Sequence, residues 1–179
     1  LAFIYSSFTG AYGIGFLSMV LQKQGWKPFS NGAGKRRFAI WSGEQTSREK
    51  DRIREVFNSV ENDDGSQLQI IIGSPAIKEG VSLFRVRQVH ILEAYWNHSR
   101  LEQIYGRAVR YCSHKRLAAA DRNVTIYIYC AVLGRGRATP EESIDLYMLH
   151  MADEKRKEAR PYLDALKQCA VDKNKYDLK

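Results

Sequence analysis

Cysteine and long apolar runs are both scarce in this chain, and each scarcity excludes something. There are three cysteines, Cys112, Cys130 and Cys169, odd in number and far apart with no C-x-x-C pair, so a disulfide framework is excluded and a reducing compartment is expected. Cys112, His114 and His98 match no usual zinc spacing, so no metal ligand set is expected. Apolar runs such as Ile70–Ile72 fall far short of the roughly 20 residues that a bilayer demands. No basic start leads into an apolar stretch and a small-residue cleavage site, so nothing argues for secretion. A G-x-x-x-x-G-K-[ST] phosphate loop is missing too. Gly32-Ala-Gly-Lys35 lacks its first glycine and its following Ser or Thr, and reads as a loop. No strand-borne acidic pair is present to hold magnesium. The chain opens on Leu1 and strand-like residues instead of Met, and is expected to be cut from something longer.

What is present suits one folded domain. The 179 residues are 44% hydrophobic, enough to bury a core and to exclude disorder as the main state. The net charge of +8 is unevenly placed. Residues 1–99 carry 12 Lys/Arg against 9 Asp/Glu, nearly balanced, whereas residues 100–137 carry 8 against 2. That stretch, from Arg100 to Arg137, has the footprint of a polyanion partner, nucleic acid or nucleotide phosphate, although a solvated basic surface has the same composition.

Strand and helix patterns alternate along the chain. Ala2–Ser7, Arg37–Trp41, Leu68–Ile72, Gln88–Leu92 and Val124–Val132 read as strands, the third a continuous apolar run of the kind buried in parallel sheets. Tyr12–Gln24, Thr46–Val60 and Ser99–Tyr111 read as helices, with Gly25 stopping the first. Thr139-Pro-Glu-Glu reads as a capping-box start, and two polar-faced helices, separated near Asp153 and interrupted by Pro161, are expected to follow. The expected fold is α/β, a parallel sheet with helices on both faces, its ligand site at the carboxyl ends of the strands. The expected organisation is a lobe over residues 1–138 and a helical extension over 139–179, packed on it.

Two stretches carry chemistry. In Gly73-Ser-Pro-Ala-Ile-Lys-Glu-Gly-Val-Ser-Leu83, a hydroxyl at a strand's end can donate to phosphate, and a glycine after a turn admits a ligand to backbone N–H groups. Alone, it also reads as an ordinary loop. In Gln103-Ile-Tyr-Gly-Arg107-Ala-Val-Arg110, helical spacing projects Gln103, Arg107 and Arg110 together, and Gly106 would let the helix lie close to a neighbour. Paired guanidiniums can grip a transferring phosphoryl group, or simply form a basic face.

The ordered series of Ser74, Gly80-Val81-Ser82-Leu83, Tyr95-Trp96-Asn97 and Gln103…Arg107…Arg110 resembles motifs V and VI of the superfamily-2 helicases and translocases, especially the Swi/Snf-like branch. Phe3-Ile-Tyr-Ser-Ser resembles motif IV, and Ser42-Gly43, Glu49-Lys50 and Val56-Phe57-Asn58 resemble the "G…eR…F" segment. The stretch "HILEAYWNHSRLEQIYGRAVRYCSHK" and the tail are similar to the DNA-dependent ATPases of nucleo-cytoplasmic large DNA viruses, the poxvirus-like nucleoside triphosphatases and early-transcription-factor helicases.

This resemblance implies the second RecA-like lobe of a two-lobed ATPase that uses ATP with Mg2+, the magnesium ligands lying on a missing N-terminal lobe. It implies that Arg107 and Arg110 are arginine fingers and that Gly80, Ser82 and Gln103 line the nucleotide cleft. Ser6, Ser7 and Ser74 would meet the nucleic-acid backbone. It further implies DNA more than RNA as partner, viral RNA polymerase or transcription factors as recruiters, and an intracellular place, host cytoplasm and virion. Lys50 stands where many relatives have arginine, Pro75 where helicases often have an acid, and Glu93 where Swi/Snf proteins often have aspartate. The rival reading is a non-catalytic nucleic-acid-binding or transcription-factor docking module with a helicase-like fold.

Overall fold

A computed structural model describes residues 1–77, 81–132 and 143–171. The chain divides into two compact units, one made of Leu1–Glu93 with Glu102–Cys130, the other of Ala94–Leu101 with the chain from Ala131 on. The expected boundary at 138/139 lies outside the described residues.

The first unit is built on one parallel sheet. Its strands are β1 (Ala2–Tyr5), β2 (Lys27–Pro28), β3 (Arg37–Trp41), β4 (Ile70–Gly73), β5 (Gln88–Ile91) and β6 (Thr125–Ile128), in the spatial order β2-β3-β4-β1-β5-β6. Register fixes which side chains share a face. Ile4 lies between Ile72 and His90, and Phe3 between Ile71 and Val89. On the Ile4 face, Phe38, Ile70 and Ile72 bury against Ile14, Leu17 and Leu21, which recur at helical spacing along α1 (Ile14–Lys23). The other face buries Phe3, Ile71 and Val89 completely. Ile53 and Phe57, one turn apart on α2 (Ser47–Asn58), are buried as well. Each such side chain stabilises the fold by about 1.5–3 kcal/mol. The sheet is thus the expected α/β architecture.

The order also places the ligand end. After β4 the chain passes to the far side of β1, so the carboxyl ends of β1, β4 and β5 surround a topological switch point. Ser6, Ser74 and Glu93 sit just beyond those ends.

Three sequence expectations are corrected. The helix expected over Ser99–Tyr111 is α3 (His98–Tyr105), and it ends before the arginine pair. A Cβ on Gly106 would lie 2.6 Å from the Glu102 carbonyl oxygen, so the glycine serves a tight exit from its own helix. In the second unit, the two helices expected after Thr139 are a single helix, α4 (Ile144–Cys169), which runs through Pro161. Side chains 155–169 are exposed, so the carbonyl that loses its partner at proline can turn to water. The expected cap at Thr139–Glu142 lies outside the described residues, and Ser143 caps α4 by accepting the Leu146 N–H at 3.3 Å. Within that unit His98 Nε2 meets Asp153 Oδ1 at 2.6 Å, and Ala131 N–H donates to Asp145 at 2.7 Å. Among the described residues, no helix is long and apolar enough to cross a membrane.

Candidate functional site

The candidate residues of the first unit fall into two groups. The first gathers at the strand ends. Ser6, fully buried, donates its hydroxyl to Glu93 Oε1 at 2.5 Å, and the Ser7 N–H donates to Glu93 Oε2 at 2.9 Å. One carboxylate therefore joins the end of β1 to the end of β5. Ser74 is 1% exposed, and its Oγ accepts the Ala76 N–H at 3.1 Å, tightening the turn after β4. Of the three serines expected to face nucleic acid, only Ser7 is exposed, while the Ser6 and Ser74 hydroxyls point into internal bonds.

The second group gathers around the segment Ser82–Phe84. Arg110 donates from Nη1 to Ser82 Oγ at 2.9 Å and from Nε to the Gly106 carbonyl at 3.2 Å. Its side chain is exposed, and the two bonds hold the guanidinium at two of its three nitrogens. The Leu83 N–H donates to the Arg107 carbonyl at 2.9 Å, so the two motif stretches are stitched together through backbone as well. Arg107 is buried, at 6% exposure, whereas Gln103 is exposed on α3. The structure therefore ties Arg110 and the Arg107 backbone to Ser82–Leu83, whereas Gln103, Arg107 and Arg110 do not share the one helix face that spacing suggested, because α3 ends at Tyr105. Gly80 lies outside the described residues.

Two further residues complete this group. Asn58, the last residue of α2, donates from Nδ2 to the Ser82 carbonyl at 2.9 Å and accepts the Phe84 N–H on Oδ1 at 2.9 Å. Arg85 is 2% exposed with φ of 60°, and donates to the carbonyls of Phe57 at 3.0 Å, Asn58 at 3.3 Å and Ser59 at 2.8 Å. Its Nε also lies 2.8 Å from Asp63 Oδ1, an ion pair by distance without the alignment of a hydrogen bond. Burial, then repulsion from Arg116, lowers the Arg85 pKa, and Asp63 opposes both. Only tertiary structure shows these roles; in sequence Arg85 is one charge among several, and Asn58 only the end of a resembling segment.

Among the described residues, no three His, Cys, Asp or Glu side chains are placed to hold a metal ion. They offer magnesium no ligand set.

The arginines stitched to the segment that precedes β5 fall within a family match. The helicase conserved C-terminal domain matches residues 19–112, so the chain belongs to that family, within the viral branch of superfamily 2. It is 49% identical over 131 residues to an Acanthamoeba polyphaga mimivirus protein named as an ATP-dependent RNA helicase, covering 73% of this chain and 23% of that protein. It is 33% identical over 177 residues to a protein named as a helicase in Invertebrate iridescent virus 3, covering 96% and 18%. A termination factor NPH-I homologue of African swine fever virus is 33% identical over 143 residues, covering 76% and 20%. The chain thus spans about a fifth of the length of these relatives. The crystal structure of the C-terminal part of the Fun30 ATPase domain shares the fold, with a TM-score of 0.60 at 20% identity, covering 84% of this chain and 38% of that one.

Proposed function

We propose that this lobe serves an ATP-dependent, nucleic-acid-stimulated translocase by supplying arginine fingers to γ-phosphoryl transfer. The observation that carries the reading is Arg110, an exposed side chain whose guanidinium is held at two nitrogens, Nη1 by Ser82 and Nε by the Gly106 carbonyl. A planar fork held in place beforehand can meet developing charge on phosphoryl oxygens without first being ordered. ATP would bind a partner lobe bearing the phosphate loop that these 179 residues lack, and closure of the two lobes would bring Arg107 and Arg110 to it. Gln103 and Gly80 belong to the same proposed cleft. The exposed Ser7 hydroxyl would meet a phosphate of the strand, with the buried Ser6 and Ser74 shaping that edge. DNA as the track, and transcription machinery as the recruiter, follow from the resemblance and from one relative's name as a termination factor. Relatives named as RNA helicases make RNA the necessary comparison.

The test is turnover of the longer, phosphate-loop-bearing protein at saturating ATP and saturating nucleic acid. Arg110→Ala should lower it by about 10³–10⁵ while both ligands still bind, and Arg110→Lys should rescue poorly. Arg107→Ala should do likewise, read beside a melting curve because that side chain is buried. A near-normal maximal rate for Arg110→Ala, with weaker nucleic-acid affinity and a flatter salt slope, would instead mark a solvated basic face.

A further inference from the structure

We propose that Asn58 is a positioning residue for Arg110, acting from the end of α2 through the Ser82–Phe84 segment; this rests on the reading that Arg110 acts on the transferring phosphoryl group. Ser82–Phe84 belongs to no helix or strand, so no ladder of its own fixes where Ser82 Oγ stands. The bonds that fix it come from its two sides. On one side, Arg110 reaches Ser82 Oγ at 2.9 Å, and the Leu83 N–H reaches the Arg107 carbonyl at 2.9 Å. On the other, the Asn58 carboxamide spans the segment, bonding the Ser82 carbonyl and the Phe84 N–H, each at 2.9 Å. One planar amide thus satisfies a donor and an acceptor two residues apart, which holds both the position and the orientation of the peptide carrying the Ser82 hydroxyl.

Asn58 is itself anchored. Its carbonyl accepts from Arg85 Nη1 at 3.3 Å and from Arg116 Nη2 at 2.9 Å, and both arginines pair with Asp63. Without the carboxamide, the segment keeps its bonds to Arg107 and Arg110 but loses the fixed side against which they are set. Arg110 would then remain present and charged, yet aimed by a mobile partner. Positioning errors of this kind affect maximal rate more than ligand affinity, because the ligands are held elsewhere.

The experiment uses the longer protein with ATP and a DNA duplex, and compares Asn58→Ala, Arg110→Ala and the double variant, each with a melting curve. Asn58→Ala should lower kcat tenfold or more, with the KM for ATP and the affinity for DNA within twofold of the parent. In the Arg110→Ala background the same change should cost less than twofold, because the arginine it positions is already gone. Asn58→Asp keeps the shape and the acceptor for Phe84 but loses the donor to Ser82. It should lower kcat in the same sense, and it carries the comparison if the alanine variant does not fold. If Arg110→Ala is impaired while folded Asn58→Ala and Asn58→Asp keep kcat within twofold, or if the two losses multiply, the positioning role is overturned and the arginine-finger reading stands. If Arg110→Ala itself keeps kcat, the finger reading falls and this proposal falls with it.

Discussion

At the scale of single residues, stability and site geometry meet in Arg85. A buried guanidinium is costly unless its donors are used, and here they cover three carbonyls at the end of α2 and pair with Asp63. Arg85→Met should cost about 3 kcal/mol of unfolding free energy, because those carbonyls stay in place with no donor. Arg85→Lys should fall between, since an ammonium keeps the charge but cannot span the same acceptors. Arg116→Ala should cost under about 1 kcal/mol, because its ion pair with Asp63 is partly exposed. Urea unfolding of the three variants checks the order, and a Met variant as stable as the parent would show that this network does not hold the α2 end. None of this was legible in sequence. A charge reads the same whether water or a ring of carbonyls surrounds it, and only the fold puts residues 57–59 around residue 85.

At the scale of elements, helix starts were more legible than helix ends. The helix expected from Thr46 does begin there, and the structure adds a capping box, in which the Glu49 N–H donates to Thr46 Oγ1 at 3.3 Å and the Thr46 N–H donates back to Glu49 at 2.8 Å. Thr46→Ala should cost about 1 kcal/mol. The Thr46 N–H, and next its hydroxyl, hold the Glu49 pKa below the ordinary carboxyl value. Because the folded pKa is the lower one, the stabilisation is present above the unfolded carboxyl range and is lost as pH falls through the folded value. Glu49→Gln should therefore narrow the difference in urea midpoint between pH 7 and about pH 3. An unchanged difference would show that the box contributes nothing to the pH dependence. Ends were less legible. β2, two residues long, carries no periodicity to read, and α3 stops at Tyr105 because the chain must turn before Arg107, a demand of tertiary structure alone. Pro161 reads locally as a breaker, yet an exposed helix can give up one bond to water.

At the scale of the whole molecule, the parallel sheet was legible because buried strands such as Ile70–Ile72 are apolar on both faces, and because the ordered motifs come in a family's sequence. The switch-point crossing of β1 was not legible from periodicity, since strand order is set by which faces need covering. What the fold leaves out sets the last prediction. The chain has no phosphate loop, and the described residues offer no metal cluster, so the isolated 179 residues should hydrolyse no ATP, with or without nucleic acid. Its contribution to nucleic-acid binding should be electrostatic. Positive charge is concentrated in residues 100–137, 8 basic against 2 acidic, whereas the strand-end group offers one exposed serine, too few contacts to read a base sequence. With three or four phosphate contacts, raising salt from about 50 to about 200 mM should weaken duplex binding about 40- to 150-fold, and exchanging one duplex sequence for another should change it little. Titrating DNA and RNA duplexes at the two salt concentrations measures the slope and ranks the two tracks. Tight, sequence-selective binding indifferent to salt would favour the docking module over the translocase lobe. Specific ATP turnover by these 179 residues alone would mean that phosphate chemistry resides here after all, since in the proposed finger role the arginines would act only on a nucleotide that another lobe holds.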